Sequence, residues 1–176
     1  MPRRTIPIAT ERNQEGLQLH AILAPYDFSA SSEYAFRWAV GLAEDWGAKI
    51  VVVHVIPVFF PVEYLQTRLL VDLPQLESAL FSKTKTRLEE CTTKKVSSTV
   101  TVDTRVLMGD AWWEICQTAE REPVDLIVMG SHGDTGLTQI SLGSVAERVV
   151  RHASCPILVT RLPHNAVHGK GTEVVP

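Results

Sequence analysis

Five short apolar runs, separated by stretches of helical periodicity, leave this chain few architectures to adopt. The runs are His20–Pro25, Lys49–Ile56, Val100–Leu107, Val124–Met129 and Pro156–Thr160. The second is dense in Val and Ile and the third alternates. Continuous Val/Ile/Leu runs of this length suit strands buried on both faces. Between the first two, Ala35, Trp38, Ala39, Leu42, Ala43 and Trp46 fall on one helical face, with Ser29 or Ser31 as cap and Gly47 as terminator. Pro74 suits the first turn of a second helix, whose buried stripe is expected to be Leu76, Leu80, Leu88 and Cys91. Gly109 to Glu122 predicts a third, with Ala111, Trp112, Ile115, Cys116 and Ala119 inward and Pro123 as its stop. Ser144 to His152 predicts a fourth, with Val145, Val149 and Val150 on its apolar side. Strands alternating with helices predict an α/β fold: an open five-stranded parallel sheet with helices on both faces and right-handed crossovers.

Length and charge narrow the function classes. The 176 residues suit one domain, with polar tails at 1–18 and 163–176 around an ordered part at 19–162. The stretch from Pro57 to Leu73 is irregular and rich in Phe, Tyr and Leu; it reads as a loop capping the core or as a flap or partner surface. With 17 Lys+Arg against 20 Asp+Glu the net charge is −3, which lacks the basic footprint of a nucleic-acid binder. No apolar run reaches the ~18 residues of a membrane span, and no apolar segment follows Arg3 and Arg4 as a secretory signal requires. Three widely spaced cysteines, Cys91, Cys116 and Cys155, point to a reducing, cytoplasmic setting rather than a disulfide framework.

In an open parallel sheet, ligands bind beyond the carboxyl ends of the strands, where the winding reverses. The segment after the fourth run is the richest such position. It reads Gly130-x-x-Gly133, nine residues, then Gly143-Ser144 opening a helix. Glycine lets a backbone approach phosphate oxygens without a Cβ in the way. Gly143 and Ser144 are expected to present free N–H groups at a helix N-terminus, an anion site. The loop has no Lys, so it is not the G-x-x-x-x-G-K-[ST] phosphate loop, and it also fails the dinucleotide G-x-G-x-x-G pattern.

These residues resemble the universal stress protein family. The resemblance covers about 19–162 and rests on Pro25-x-Asp27-x-Ser29, His54-Val55, Asp125 through Gly133, Gly143-Ser144-Val145, and Cys155-Pro156 before the last strand. It implies a Rossmann-like sheet of order 3-2-1-4-5 and a homodimer paired through the last strand. The complete G-2x-G-9x-G-[S/T] pattern implies the ATP-binding subgroup. Pro25, Tyr26 and Asp27 would then lie at the adenine end, Asp27 accepting from the amino group, with the Val55 backbone at the base edge. Met129 and Gly130 would line the ribose and α-phosphate, and His132, Gly133, Gly143, Ser144 and Val145 would hold the phosphates. No cationic side chain lies inside the loop, so a divalent ion, Mg²⁺ or Mn²⁺, is expected with the nucleotide, held by phosphates and water with the Ser144 hydroxyl as a candidate ligand.

Several residues keep two readings. Asp27 suits adenine or the cap of the first helix, His132 suits phosphate or solvent, and His54 suits a satisfied place in the core. Asp134 and Thr135 suit metal or water. Of the adjacent Trp112 and Trp113, one must face outward. His152 and Cys155 have metal-like spacing without the further ligands that structural zinc needs. The expected function is an ATP-sensing regulator read by protein partners. The alternatives are a slow metal-dependent ATP hydrolase or adenylyl-transfer enzyme, and a ligand-free dimer or chaperone-like module. No catalytic residue stands out, since only His132 and Asp134 suggest a base.

Overall fold

The computed structural model describes residues 18–58, 73–133 and 142–163. Its elements run β1 (Ala21–Pro25), α1 (Ala30–Trp46), β2 (Lys49–Ile56), α2 (Leu73–Thr92), a 3₁₀ turn (Thr93–Lys95), β3 (Val102–Met108), α3 (Ala111–Arg121), β4 (Leu126–Gly130), α4 (Ser144–His152) and β5 (Ile157–Thr160). The five strands are parallel in the order β3-β2-β1-β4-β5, as the Rossmann-like reading requires. The tail residues 1–17 and 164–176, most of the irregular stretch (59–72), and Asp134 and Thr135 lie outside the described residues.

The period-2 alternation of buried strands sorts side chains into two cores. Ile22, Ala24, Ile50 and Val52 face one side with Phe36, Ala39 and Leu88. Leu23, Val51, Val53, Ile127 and Met129 face the other with Ile115, Cys116, Ala119 and Val149. On the first side α1 lies over β1 and β4, and α2 over β3. On the second α3 and α4 pack against each other. No helix among the described residues is long and apolar enough to cross a membrane.

Helix α1 begins where Ser29, in extended geometry, accepts from the Ser32 N–H (3.1 Å) and ends at Gly47 in the left-handed region (φ 67°). Its buried face differs from the expected one. Ala35, Ala39 and Ala43 do face the sheet, but with Phe36 and Val40, while Trp38 and Trp46 are exposed. Small side chains let the helix settle close to the strands, and indoles flanking that contact have no room beneath it. In α2 Leu88 is buried and Cys91 half-buried, whereas Leu76 and Leu80 are exposed. In α4 Val149 and Ala146 are buried and Val150 is exposed. In each case apolar residues extend around more of the helix than its core contact covers. Trp112 is half-buried, its Nε1–H donating to Asp110 Oδ2 (2.8 Å), and Trp113 faces out.

Candidate functional site

The strand order reverses between β1 and β4, and a cavity of about 540 Å³ opens there beyond their carboxyl ends. That volume lies in the usual range for small-molecule sites, ~300–1,000 Å³. All eleven residues singled out from the sequence line it. Pro25, Tyr26 and Asp27 come from the end of β1 and Val55 from β2. Met129 and Gly130 end β4, His132 and Gly133 follow it, and Gly143, Ser144 and Val145 start α4.

Alternation decides what each contributes. Met129 and Val55 belong to the core beneath α3 and α4, which floors the cavity. Tyr26 points its ring into the opposite core, edge-on to Phe36 and Phe28, so it offers the cavity backbone rather than side chain. Burial there pushes its phenol up to about 12, with the charges of Cys91, Glu33 and Asp27 adding to the effect and Arg87 opposing it. His54 likewise sits away from the floor. Its Nδ1–H donates to the Tyr26 carbonyl (2.7 Å) and its ring lies 4.7 Å from that of Phe28.

Asp27 serves two ends at once. Its Oδ1 accepts from the Ser29 N–H (3.0 Å), bracing the residue that caps α1. Its Oδ2 turns toward Gly133, where an added Cβ would lie 2.7 Å away. Between Asp27 and Ser29, Phe28 adopts a left-handed φ of 66°, unfavourable for a bulky residue. Gly130 is required by packing as well as by any ligand. A Cβ there would come within 2.9 Å of the Ser31 carbonyl carbon and closer still to its hydroxyl.

The start of α4 differs from the expectation in one respect. The Gly143 N–H is not open, because it donates to the Ser131 carbonyl (2.8 Å), which anchors the returning chain to the end of β4. Gly143 is the N-cap, has no side chain to offer, and accepts the first helical bond from Glu147 (2.9 Å). The amides of Ser144, Val145 and Ala146 therefore find no acceptor among the described residues. They supply the positive end of the helix to the cavity. Ser131 is buried, donates its N–H to Thr160 (2.8 Å), and its Oγ is hydrogen-bonded to His132 Nδ1 (2.9 Å).

The lining contains Asp27, His54 and His132 and no lysine or arginine among the described residues. Nor does any group of three His, Cys, Asp or Glu side chains there form a metal-holding cluster. His152 Nδ1 is instead bonded to the Arg148 carbonyl (2.8 Å). The sequence reading missed the walls. Ala111 and Ile115 enter from α3, and Ser32, Val53, Pro57, Ser131 and Ala146 fill the rim and floor. Val53 was accessible to reasoning, since it lies two residues before Val55 on the same face, and Ala111 and Ile115 are one helical turn apart.

Comparisons with known proteins agree with this fold. The sequence profile of the Universal stress protein family matches residues 19–161. The universal stress protein MJ0531 of Methanocaldococcus jannaschii is 35% identical over 156 residues, 86% of this chain and 87% of that protein. The solved structure of the same organism's MJ0577 superposes with a TM-score of 0.69 at 29% identity, covering 84% of this chain and 99% of that one. The fold extends to the Archaeoglobus fulgidus universal stress protein solved in complex with dAMP, at 21% identity and a TM-score of 0.53, over 80% of this chain and 96% of that one. By sequence and by fold, the chain belongs to the universal stress protein family.

Proposed function

We propose that the chain binds ATP in the cavity between β1 and β4, and that the bound state is read by protein partners as a regulatory signal. One observation carries this reading: three amides of α4 that meet no acceptor among the described residues open into a nucleotide-sized cavity that also presents a carboxylate oxygen and apolar walls. Amide donors, a carboxylate acceptor and apolar walls suit a ligand that joins an anionic group to a flat, amine-bearing ring. A family member of this fold has been solved with dAMP, in keeping with an adenine nucleotide.

In this reading Pro25, the Val55 backbone and the Tyr26 backbone hold the base, and Asp27 Oδ2 accepts from its amino group. Met129 and Gly130 line the ribose and α-phosphate. His132, Gly133, Gly143, Ser144 and Val145 surround the phosphates, with the Ser144, Val145 and Ala146 amides as donors. Helix-end amides carry only partial charge and no lysine or arginine among the described residues lines the cavity, so a divalent ion held by phosphates, water and the Ser144 hydroxyl completes the neutralisation. The chain acts in the cytoplasm as a homodimer joined through β5, an edge strand whose Ile157, Leu158 and Val159 are half-buried.

The test is to denature the purified protein, identify any released nucleotide, and titrate the apoprotein with ATP with and without Mg²⁺. Binding between micromolar and low-millimolar concentration, tighter with Mg²⁺, is expected. No ATP binding in that range would falsify the reading, and equal affinity without metal would remove the divalent ion from it.

A further inference from the structure

Helix α1 carries a feature that neither the sheet nor the cavity accounts for. Gly41 sits inside its 17 residues, where glycine weakens a helix relative to alanine. Close packing would justify it, yet a Cβ placed there meets nothing within 4 Å. Gly41 instead helps to line a shallow hollow of about 260 Å³ on the outer surface of the helix, with Tyr34, Arg37, Trp38, Leu42 and Asp45. Every one of these residues belongs to α1. Beside the hollow stands Trp38, a large apolar side chain left 49% exposed.

The charges around the hollow are symmetric about the glycine. Arg37 stands four residues before Gly41 and Asp45 four residues after it, about one turn to either side. Arg37 has only a 3.6 Å ion pair to Glu33 with 65% of its side chain exposed, and Asp45 has no ion pair among the described residues. When two antiparallel copies of α1 cross at Gly41, the guanidinium of each faces the Asp45 carboxylate of the other. The pairing occurs twice across a twofold axis, the signature of an isologous contact. The missing Cβ lets the axes approach closely, and each Trp38 covers the other helix beside its glycine.

We propose that the outer face of α1, centred on Gly41, is a self-complementary docking surface for a second copy of this chain. One helix crossing buries less than the ~1,000 Å² of a stable interface, so contact through this face alone is weak and concentration-dependent. The residues of this face all belong to α1 and none to β5. The contact between the two helices requires no bound nucleotide.

Sedimentation of the full chain from 10 µM to 1 mM, without nucleotide, tests it. The wild-type average mass should rise with concentration. Arg37→Asp and Asp45→Arg should each weaken that association about tenfold or more, because like charges then face each other. An equimolar mixture of the two variants should recover wild-type association, since each carboxylate again meets a guanidinium. Gly41→Leu, which fills the hollow while favouring the helix, should weaken association with the melting temperature unchanged or raised. Charge reversals that leave the association of the chain as it was, or a mixture no better than its components, overturn the proposal.

Discussion

The two ends of β1 each hold a carboxylate and use it differently. At the amino end, Asp125 Oδ2 accepts from the N–H groups of His20 (2.6 Å) and Ala21 (2.9 Å), and the Asp125 N–H donates back to the Ala21 carbonyl (2.9 Å). That end is closed, its polar groups answered within the fold. At the carboxyl end, Asp27 accepts one backbone N–H through Oδ1 and leaves Oδ2 toward Gly133. Nearby lie the amides of α4 that meet no acceptor among the described residues, and a phenylalanine in the left-handed region. Groups near a sheet are normally satisfied internally, so the end where donors, an acceptor and backbone strain remain together is the end organised around something external.

The largest expected effect tests whether the open end is also structural. Gly130→Ala drives a Cβ into Ser31 at the start of α1, and should cost roughly 2–3 kcal/mol of stability, seen as a drop of several degrees in the melting temperature. A neutral melt would mean that this glycine serves the ligand alone. At the closed end, Asp125→Ala leaves two backbone donors without their acceptor and should cost about 2 kcal/mol. The same group gives a pH signature. Burial works against its ionisation, but the Ala21 and His20 N–H bonds outweigh that and hold the carboxyl below its ordinary value of 3.8. Its contribution is therefore present above that value and is lost as pH falls through the lower folded value. Acid unfolding should be steeper for the wild type than for Asp125→Ala, and parallel curves would exclude Asp125 as a source of acid sensitivity.

The open end should show its next effect in affinity rather than stability. Asp27→Ala removes the brace on Ser29 but leaves the Ser29 cap on α1 intact, so stability should fall by less than about 1 kcal/mol. ATP affinity should fall about tenfold, the worth of one charge-assisted hydrogen bond. Calorimetry on the variant separates the two. Unchanged affinity together with lost stability would make Asp27 another Asp125.

Topology was legible because buried parallel strands leave long Val/Ile runs, and β2 occupies the expected Lys49–Ile56. The ends of strands were legible too, since a parallel sheet assigns its ligand edge before any contact is known. The rotation of α1 was not. Apolar residues occur around most of that helix, and periodicity alone does not separate Phe36 and Val40, which are buried, from Trp38 and Trp46, which are not. The fate of the Gly143 N–H was equally hidden. Its acceptor, Ser131, lies twelve positions back in the sequence, and no local pattern reports a bond of that kind. The walls from Ala111 and Ile115 look like ordinary core positions because they are also that, with Ile115 buried beside Cys116 and Ala119.

The smallest expected effect asks whether the open end stores strain. Phe28 holds φ 66° while its ring meets Tyr26 edge-on at 5.5 Å, His54 at 4.7 Å and the Arg87 guanidinium at 4.0 Å. Replacing it with Ala removes those contacts and keeps the unfavourable backbone. Replacing it with Gly removes the contacts and relieves the backbone, worth roughly 1 kcal/mol for a residue in this region. In an ordinary helix or loop position alanine is the more stabilising of the two, because glycine has more chain entropy to lose. Here the order should invert, with Phe28→Gly the more stable variant by about 1 kcal/mol in denaturant melts. An alanine variant as stable as the glycine variant, or more so, would show that the open end holds no strain at Phe28. The contrast between the two ends of β1 would then rest on unanswered polar groups alone.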